Sequence, residues 1–354
     1  MIRVAILGAG IGAEHLEGYR ALRDLFTVNA LCDRDLERAE RVAGGEPLDL
    51  VPDVGSILAQ EDIDLVDICL PPHLHAEVAV AALGAGKHVI CEKPLARSLA
   101  EVDAIAAAAQ RAGREVFPVF QYRFGPAFAA LDALIARGLA GPPVVASLET
   151  HWNRNAEYYA VPWRGTWAGE AGGAVLGHAI HAHDLLCRYF GPVAAVQAQL
   201  TTRVNPIETE DCGAIAFRFV NGALATSSVT LGAASDETRL RLVFRDLTAT
   251  SGMEPYAPAL GPWRFAARDP ARQAEVDAIV AAHSGALPRF AGYLEAVADH
   301  LAGRPSAAVR LPDGRISIEL VTAIYAAARS GEAVSLPLGE AHPLRHGWQP
   351  EGVA

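Results

Sequence analysis

"RVAILGAGIGAEH", residues 3–15, decides the fold of the first part of the chain. A short apolar run leads into Gly8-x-Gly10-x-x-Ala13, with an extra glycine at Gly12, and then into residues suited to a helix. In that order of strand, turn and helix, the first glycine permits the tight turn and the second lets the backbone approach a pyrophosphate. The small third residue lets helix and strand lie close. Amides at the helix start then face the phosphates. Asp33 closes the next apolar run, "VNALCD" (28–33), about twenty residues on, where a carboxylate accepts ribose hydroxyls and repels a 2′-phosphate. NAD is therefore expected over NADP, with Arg34 the residue able to stack on adenine or greet the extra phosphate.

Outward from this stretch, short apolar runs alternate with helical ones up to about residue 120. "DLVDICL" (64–70), "KHVICE" (87–92) and "REVFPVF" (114–120) read as further strands, giving a parallel sheet wound with helices. Ser98 and Glu101 make a capping box, and Gly113 follows the helix they open. After Phe124 the texture changes. A helix at 126–137 and an aromatic-rich stretch, 149–167, precede "GGAVLGHAIHAHDLL" (172–186); longer extended runs follow, two of them joined by the hairpin signal Asn221-Gly222. Helices are predicted over 288–303 and 314–331. The expected division is 1–122 and 123–354, an α/β unit followed by an α+β unit with a large, mostly antiparallel open sheet.

The 354 residues exceed what one core usually supports, and 51% hydrophobic with 20% charged residues is ordinary globular composition. A net charge of −11 without a basic cluster argues against nucleic acid or an anionic membrane as partner and for a small molecule. The chain opens directly on an apolar strand and has no uncharged run of membrane-spanning length, so a cytoplasmic location is expected. Cys32, Cys69, Cys91, Cys187 and Cys212 show no C-x-x-C spacing and read as small buried apolar groups.

"PPHLHAEVAVAALGAGKHVICEKPLARSLAE" (71–101), together with "GAGIGAEH" before it and the histidine stretch after it, resembles the Gfo/Idh/MocA family of nicotinamide-dependent oxidoreductases. Glu92-Lys93-Pro94 is the most specific element. The resemblance implies a Rossmann domain followed by an open-sheet domain, a sugar, inositol or related polyol as substrate, and assembly as a dimer or tetramer. It also implies that Lys93 reaches the reacting hydroxyl and that His181 is the general acid/base. Residue chemistry agrees: imidazole titrates near working pH, and a lysine ammonium stabilises a developing alkoxide. The dinucleotide side takes Gly8, Gly10, Ile11, Gly12, Asp33, Arg34, Leu70, Pro71, His75, Glu92 and Lys93.

If residues advance about 100° each, Gly177, His178 and Asp184 share a stripe with His181, whereas His183 faces elsewhere. Metal binding is not expected, since zinc-binding helical pairs are i, i+4 and no second ligand pair has a recognisable spacing. Gly177 departs from the family, in which many members carry an aspartate four residues before the histidine. The substrate side takes Trp152, Asn153, Trp163 and Arg164 from the aromatic stretch, where flat rings suit sugar CH groups, with Gln121, Arg123, His178 and Asp184. The reading is an NAD-dependent dehydrogenase of a secondary hydroxyl. The alternatives are an enzyme that retains NAD and oxidises transiently for elimination or glycoside cleavage, and a non-catalytic sensor.

Overall fold

Val4, Ala5, Ile6 and Leu7 are wholly buried, as a strand covered on both faces must be. In the computed structural model, which describes residues 1–350, they belong to β1 (Ile2–Leu7). The chain continues through α1 (Gly12–Arg20), β2 (Phe26–Cys32), α2 (Leu36–Ala43), β3 (Asp49–Val51), α3 (Val54–Leu58), β4 (Leu65–Ile68), α4 (Pro72–Gly84), β5 (His88–Cys91), α5 (Leu99–Ala112) and β6 (Val116–Pro118). These strands form one parallel sheet in the order β3-β2-β1-β4-β5-β6. The chain winds outward from β1 on one side, then returns to continue from β4 on the other, so the switch point lies at the C-terminal ends of β1 and β4. β3 was not anticipated; at three residues it is too short to carry a period.

Side-chain caps set the helix starts. Asp35, Asp53 and Ser98 accept the N–H of Arg38, Ser56 and Glu101, at 3.0, 2.9 and 3.1 Å. Glu101 returns its carboxylate to the N–H of Arg97 rather than Ser98, one residue beyond the usual box.

The second sheet is built from β7 (Pro143–Asn153), β8 (Val193–Thr201), β9 (Cys212–Phe219), β10 (Leu224–Thr230), β11 (Gly232–Phe244), β12 (Leu247–Thr250), β13 (Arg264–Ala267) and β14 (Val334–Ser335). Its helices are α6 (Pro126–Ala136), α7 (Trp167–Glu170), α8 (Ile180–Phe190) and α9 (Gln273–Ala282), with α10 (Arg289–Leu301) and α11 (Leu311–Ser330) later in the chain. The strand order is β13-β12-β11-β7-β10-β9-β8-β14, antiparallel throughout except for β7 beside β10. Alternation divides the faces: Ala146, Leu148, Phe217 and Leu242 join Phe128, Leu131, Leu186 and Phe190 in the core, while Ser147, Gln197, Thr226 and Ser228 point outward. Asn221-Gly222 makes the expected turn between β9 and β10, with Gly222 at φ 87° and the Asn221 side-chain oxygen accepting the Ala223 N–H at 3.0 Å.

The compact units are not two contiguous pieces. The first joins Met1–Phe120 with Phe290–Ile318; the second joins Gln121–Arg289 with the chain from Glu319. A single cut between 122 and 123 misses this return. Packing explains it: Phe290 and Leu294 lie against Gly18, where an added Cβ would sit 3.0 Å from each, and the Tyr293 hydroxyl donates to the Phe117 carbonyl at 2.8 Å. Among the described residues no helix is long and apolar enough to cross a membrane.

Candidate functional site

In the first unit the glycine turn sits at the switch point. Gly8 has φ 103°, and a Cβ there would meet the Cys69 carbonyl oxygen at 2.5 Å. Gly10 has open space around it, as close approach of a phosphate requires. Gly12 packs tightly against the strand: an added Cβ would lie 2.8 Å from Ile6. Ile11, beside them, is exposed, and Leu70 and Pro71 are half-buried just beyond β4.

Asp33 is held from three directions. It accepts the N–H of Ala9 at 2.7 Å, the N–H of Asp35 at 2.9 Å and a guanidinium N–H of Arg38 at 2.7 Å. Burial works to raise its carboxyl, but Arg38 and the two amides hold it below the usual range. The guanidinium at Asp33 is thus Arg38, which sequence reasoning missed, while Arg34 is exposed. Arg38 stands five residues on, across the start of α2, where only a formed helix brings it back.

His75 does not present itself to a ligand. It is 1% exposed, and its ring lies 2.7 Å from the carbonyl oxygens of both Leu70 and Pro94, tying the end of β4 to the loop after β5. Glu92 is buried and Lys93 half-buried; one Glu92 carboxylate oxygen accepts the Lys93 N–H at 2.9 Å. Lys93 is one of only two lysines among 30 basic residues, the other being Lys87, whose ammonium donates to the Gln60 carbonyl at 2.5 Å. That scarcity was a legible signal: arginine serves almost everywhere, yet residue 93 is an amine. The cysteines are free; burial pushes the thiols of Cys32 and Cys69 up to about 11 and about 12, and holds Cys187 near 12.

In the second unit the histidine stretch is not one regular helix. Val175–Ala179 form a π-helical turn and α8 begins at Ile180. Gly177 and His178 therefore do not follow the 100° step assumed for them, because a π turn adds a residue to each revolution. The turn is set by Glu210, whose carboxylate accepts the N–H of Gly173 at 3.1 Å and of Val175 at 3.0 Å, together with the Tyr325 hydroxyl at 2.9 Å. A Cβ on Gly173 would lie 1.9 Å from the Glu210 carbonyl oxygen, so glycine is required there. Burial pushes the Glu210 carboxyl up to about 7 despite these donors. Nothing local in the sequence marks Glu210, which lies 35 residues from Val175.

The imidazoles sort as follows. His181 stacks on Tyr122, ring centroids 4.3 Å apart and planes 16° from parallel. His178 meets Trp152 edge-on at 5.2 Å and lies 6.1 Å from Tyr158. His183 turns away, as expected, onto the Ser227 hydroxyl at 3.0 Å and the Phe217 ring, and burial pushes it down to about 4, so it is neutral at ordinary pH.

Three expected substrate contacts have other employment. Asp184 and Arg123 form a buried two-pronged pair at 2.7 and 2.5 Å, joining α8 to the turn at Gln121–Arg123. Trp152 is 5% exposed, packs with Ala174, Ala179, Val229 and Leu231, and donates to the Thr238 hydroxyl at 3.1 Å. It faces inward because β7 runs on to Asn153 and its alternation puts residues 146, 148, 150 and 152 in the core. Asn153 is exposed and gives its N–H to Asp236. Trp163 is 37% exposed, and the Arg164 guanidinium lies 3.8 Å from the centroid of the Tyr158 ring. Gln121 is buried, and its side-chain oxygen has no hydrogen-bond partner among the described residues. Among the described residues the metal-ligating atoms that cluster are those of His15, Asp67 and Cys69 in the first unit, not the histidine stretch.

Residues 2–120 match the family model described as the oxidoreductase family, NAD-binding Rossmann fold, and residues 128–249 match the C-terminal domain model of the GFO/IDH/MocA proteins. The levoglucosan dehydrogenase of Pseudarthrobacter phenanthrenivorans is 31% identical over 50% of this chain and 52% of its own length. The D-apiose dehydrogenase of Paraburkholderia graminis is 30% identical over 66% of this chain and 61% of its own. The chain thus spans less than two thirds of either relative. Among solved structures, the WlbA dehydrogenase of Bordetella pertussis, in complex with NADH and UDP-GlcNAcA, superposes with a TM-score of 0.82 at 28% identity, covering 96% of this chain and 99% of that one.

Proposed function

The chain belongs to the Gfo/Idh/MocA oxidoreductase family, and from that premise we propose that it is an NAD-dependent dehydrogenase acting on a secondary hydroxyl of a sugar, inositol or sugar derivative. The carrying observation is Asp33, fixed as a carboxylate by Ala9, Asp35 and Arg38 beside the Gly8–Gly10 turn at the switch point. Levoglucosan and apiose dehydrogenases among the relatives support a carbohydrate-type substrate.

NAD, when bound, accepts the hydride. The remaining work is assigned to the chain. The amides opening α1 hold the pyrophosphate, and Asp33 receives the adenosine ribose hydroxyls. Lys93 steadies negative charge on the reacting oxygen, and His181 takes the hydroxyl proton. Arg123 and Asp184 hold the Gln121–Arg123 turn and α8 together, and with them Tyr122 against His181. We place the enzyme in the cytoplasm as a homo-oligomer.

The test is calorimetric titration with NAD and NADP, then a panel of polyols, free sugars and glycosides followed by NADH absorbance and product analysis. Tighter NAD binding and stoichiometric NADH are expected, with turnover abolished in His181→Ala, reduced by orders of magnitude in Lys93→Met, and reduced tenfold to a hundredfold in His178→Ala. Product without net NADH would instead mean redox recycling, and binding without product a sensor.

A further inference from the structure

The first unit buries more charge than a dinucleotide fold needs. His15, on α1, and Asp67, on β4, are wholly buried; Glu92, just after β5, is 6% exposed. The His15 ring nitrogens lie 2.8 Å from an Asp67 oxygen and 3.1 Å from a Glu92 oxygen. Carboxylates only accept, so an imidazole serving both must donate from both nitrogens and carry a proton. Burial opposes that charge, but Asp67 and Cys69 outweigh it and hold His15 well above its ordinary value. The Tyr19 hydroxyl donates to the same Asp67 oxygen at 2.9 Å, Cys69 lies 3.5 Å from the ring, and Phe290 covers it at 4.2 Å between centroids. Tyr293, Cys91 and His75 are further titratable groups that Asp67 or Glu92 influences.

A buried ion network of this kind is seldom more stable than well-packed apolar side chains. Its endpoint supplies a reason for it. The second Glu92 oxygen accepts the backbone N–H of Lys93, so an unbroken line of polar contacts runs Tyr19, Asp67, His15, Glu92, Lys93. The line begins on the helix that opens at the glycine turn. It ends on the amine.

We propose that Asp67, His15 and Glu92 are positioning residues for Lys93: the buried imidazolium fixes the Glu92 carboxylate, which fixes the backbone from which the lysine ammonium projects. The proposal rests on the reading of Lys93 as the cation at the reacting oxygen. It also gives the fully buried His15 a function no local motif assigned. Both ring nitrogens are already engaged by carboxylates at hydrogen-bond distance, which is the arrangement of an ion network and not of a metal-ligating imidazole.

The scarcity of lysine makes a direct test possible. In the full chain, reductively methylated with ¹³C-formaldehyde, the side-chain signals come from Lys87 and Lys93 alone, beside the amino terminus. In His15→Leu the Lys93 resonance should move or split while that of Lys87 stays, and NAD affinity should hold within about threefold. Turnover of unmethylated protein should fall at least tenfold, mainly in kcat, and adding His15→Leu to Lys93→Met should cost nothing further, since the histidine acts through the lysine. Glu92→Gln keeps shape while removing the charge that orders His15 and should reproduce the displaced Lys93 resonance and the fall in kcat; it carries the test if His15→Leu fails to fold. An unmoved Lys93 signal in a folded variant, or additive losses in the double variant, would overturn the proposal. A shifted Lys93 signal in a protein that oxidises no substrate of the panel would leave the relay standing and sink the dehydrogenase reading instead.

Discussion

Replacing Glu210 by glutamine should make the protein more stable above neutrality and leave it nearly unchanged in acid. The carboxyl is buried, and its folded value of about 7 stands above the ordinary 4.5. A raised carboxyl favours the protonated folded state. Its contribution is complete below about pH 4.5, is lost as pH rises through 7, and is absent beyond. The displacement corresponds to about 3 kcal/mol. Glutamine imitates the neutral carboxyl and still offers an oxygen to the N–H groups of Gly173 and Val175. Urea unfolding of both proteins at pH 5, 6, 7 and 8 measures the effect as a difference, so the similar slope contributed by His15, whose proton is also favoured on folding, cancels. The two should lie within about 1 kcal/mol at pH 5, and Glu210→Gln should be ahead by about 2 to 3 kcal/mol at pH 8. A difference that stays constant from pH 5 to 8 would refute the reasoning, because Glu210 would then titrate alike in the folded and unfolded chains.

Gly177→Ala should raise stability by about 0.5 to 1 kcal/mol, since nothing lies within 4 Å of an added Cβ and alanine is the better helix former; thermal melts check this, and a loss would show that the π turn needs glycine. Asp184→Leu leaves the Arg123 guanidinium buried without its two-pronged partner and should cost about 3 to 5 kcal/mol, read by urea unfolding; a loss under 1 kcal/mol would show that Arg123 finds water.

The parallel sheet was legible because its evidence is local: an apolar run, a glycine turn and Asp33 each state their role within a few residues. Most of the misreadings involve distance. Arg123 and Asp184 are 61 residues apart, and no pattern announces that they meet. The π turn follows from Glu210, beyond β8, so a regular wheel drawn on residues 177–184 was bound to misplace its first members. Trp152 is different, because the sequence held the answer. Ala146, Leu148, Thr150 and Trp152 alternate in phase, and reading 143–153 as a strand would have turned the indole inward instead of leaving it in an aromatic stretch.

The parallel pairing of β7 with β10 has a consequence in time. Leu224 opposes Val145 there, whereas across the Asn221-Gly222 turn it opposes Arg218. Closing the longer loop costs about 2 kcal/mol more in chain entropy than closing the short one. The hairpin of β9 and β10 should therefore be protected early in refolding and the edge it offers to β7 late, an order that pulsed hydrogen exchange would reverse if wrong. The Arg164 guanidinium over Tyr158 and the imidazoles of α8 lie inside that late-closing crossover. The sheet edge comes first, and the aromatic and histidine residues carried by the crossover are gathered last.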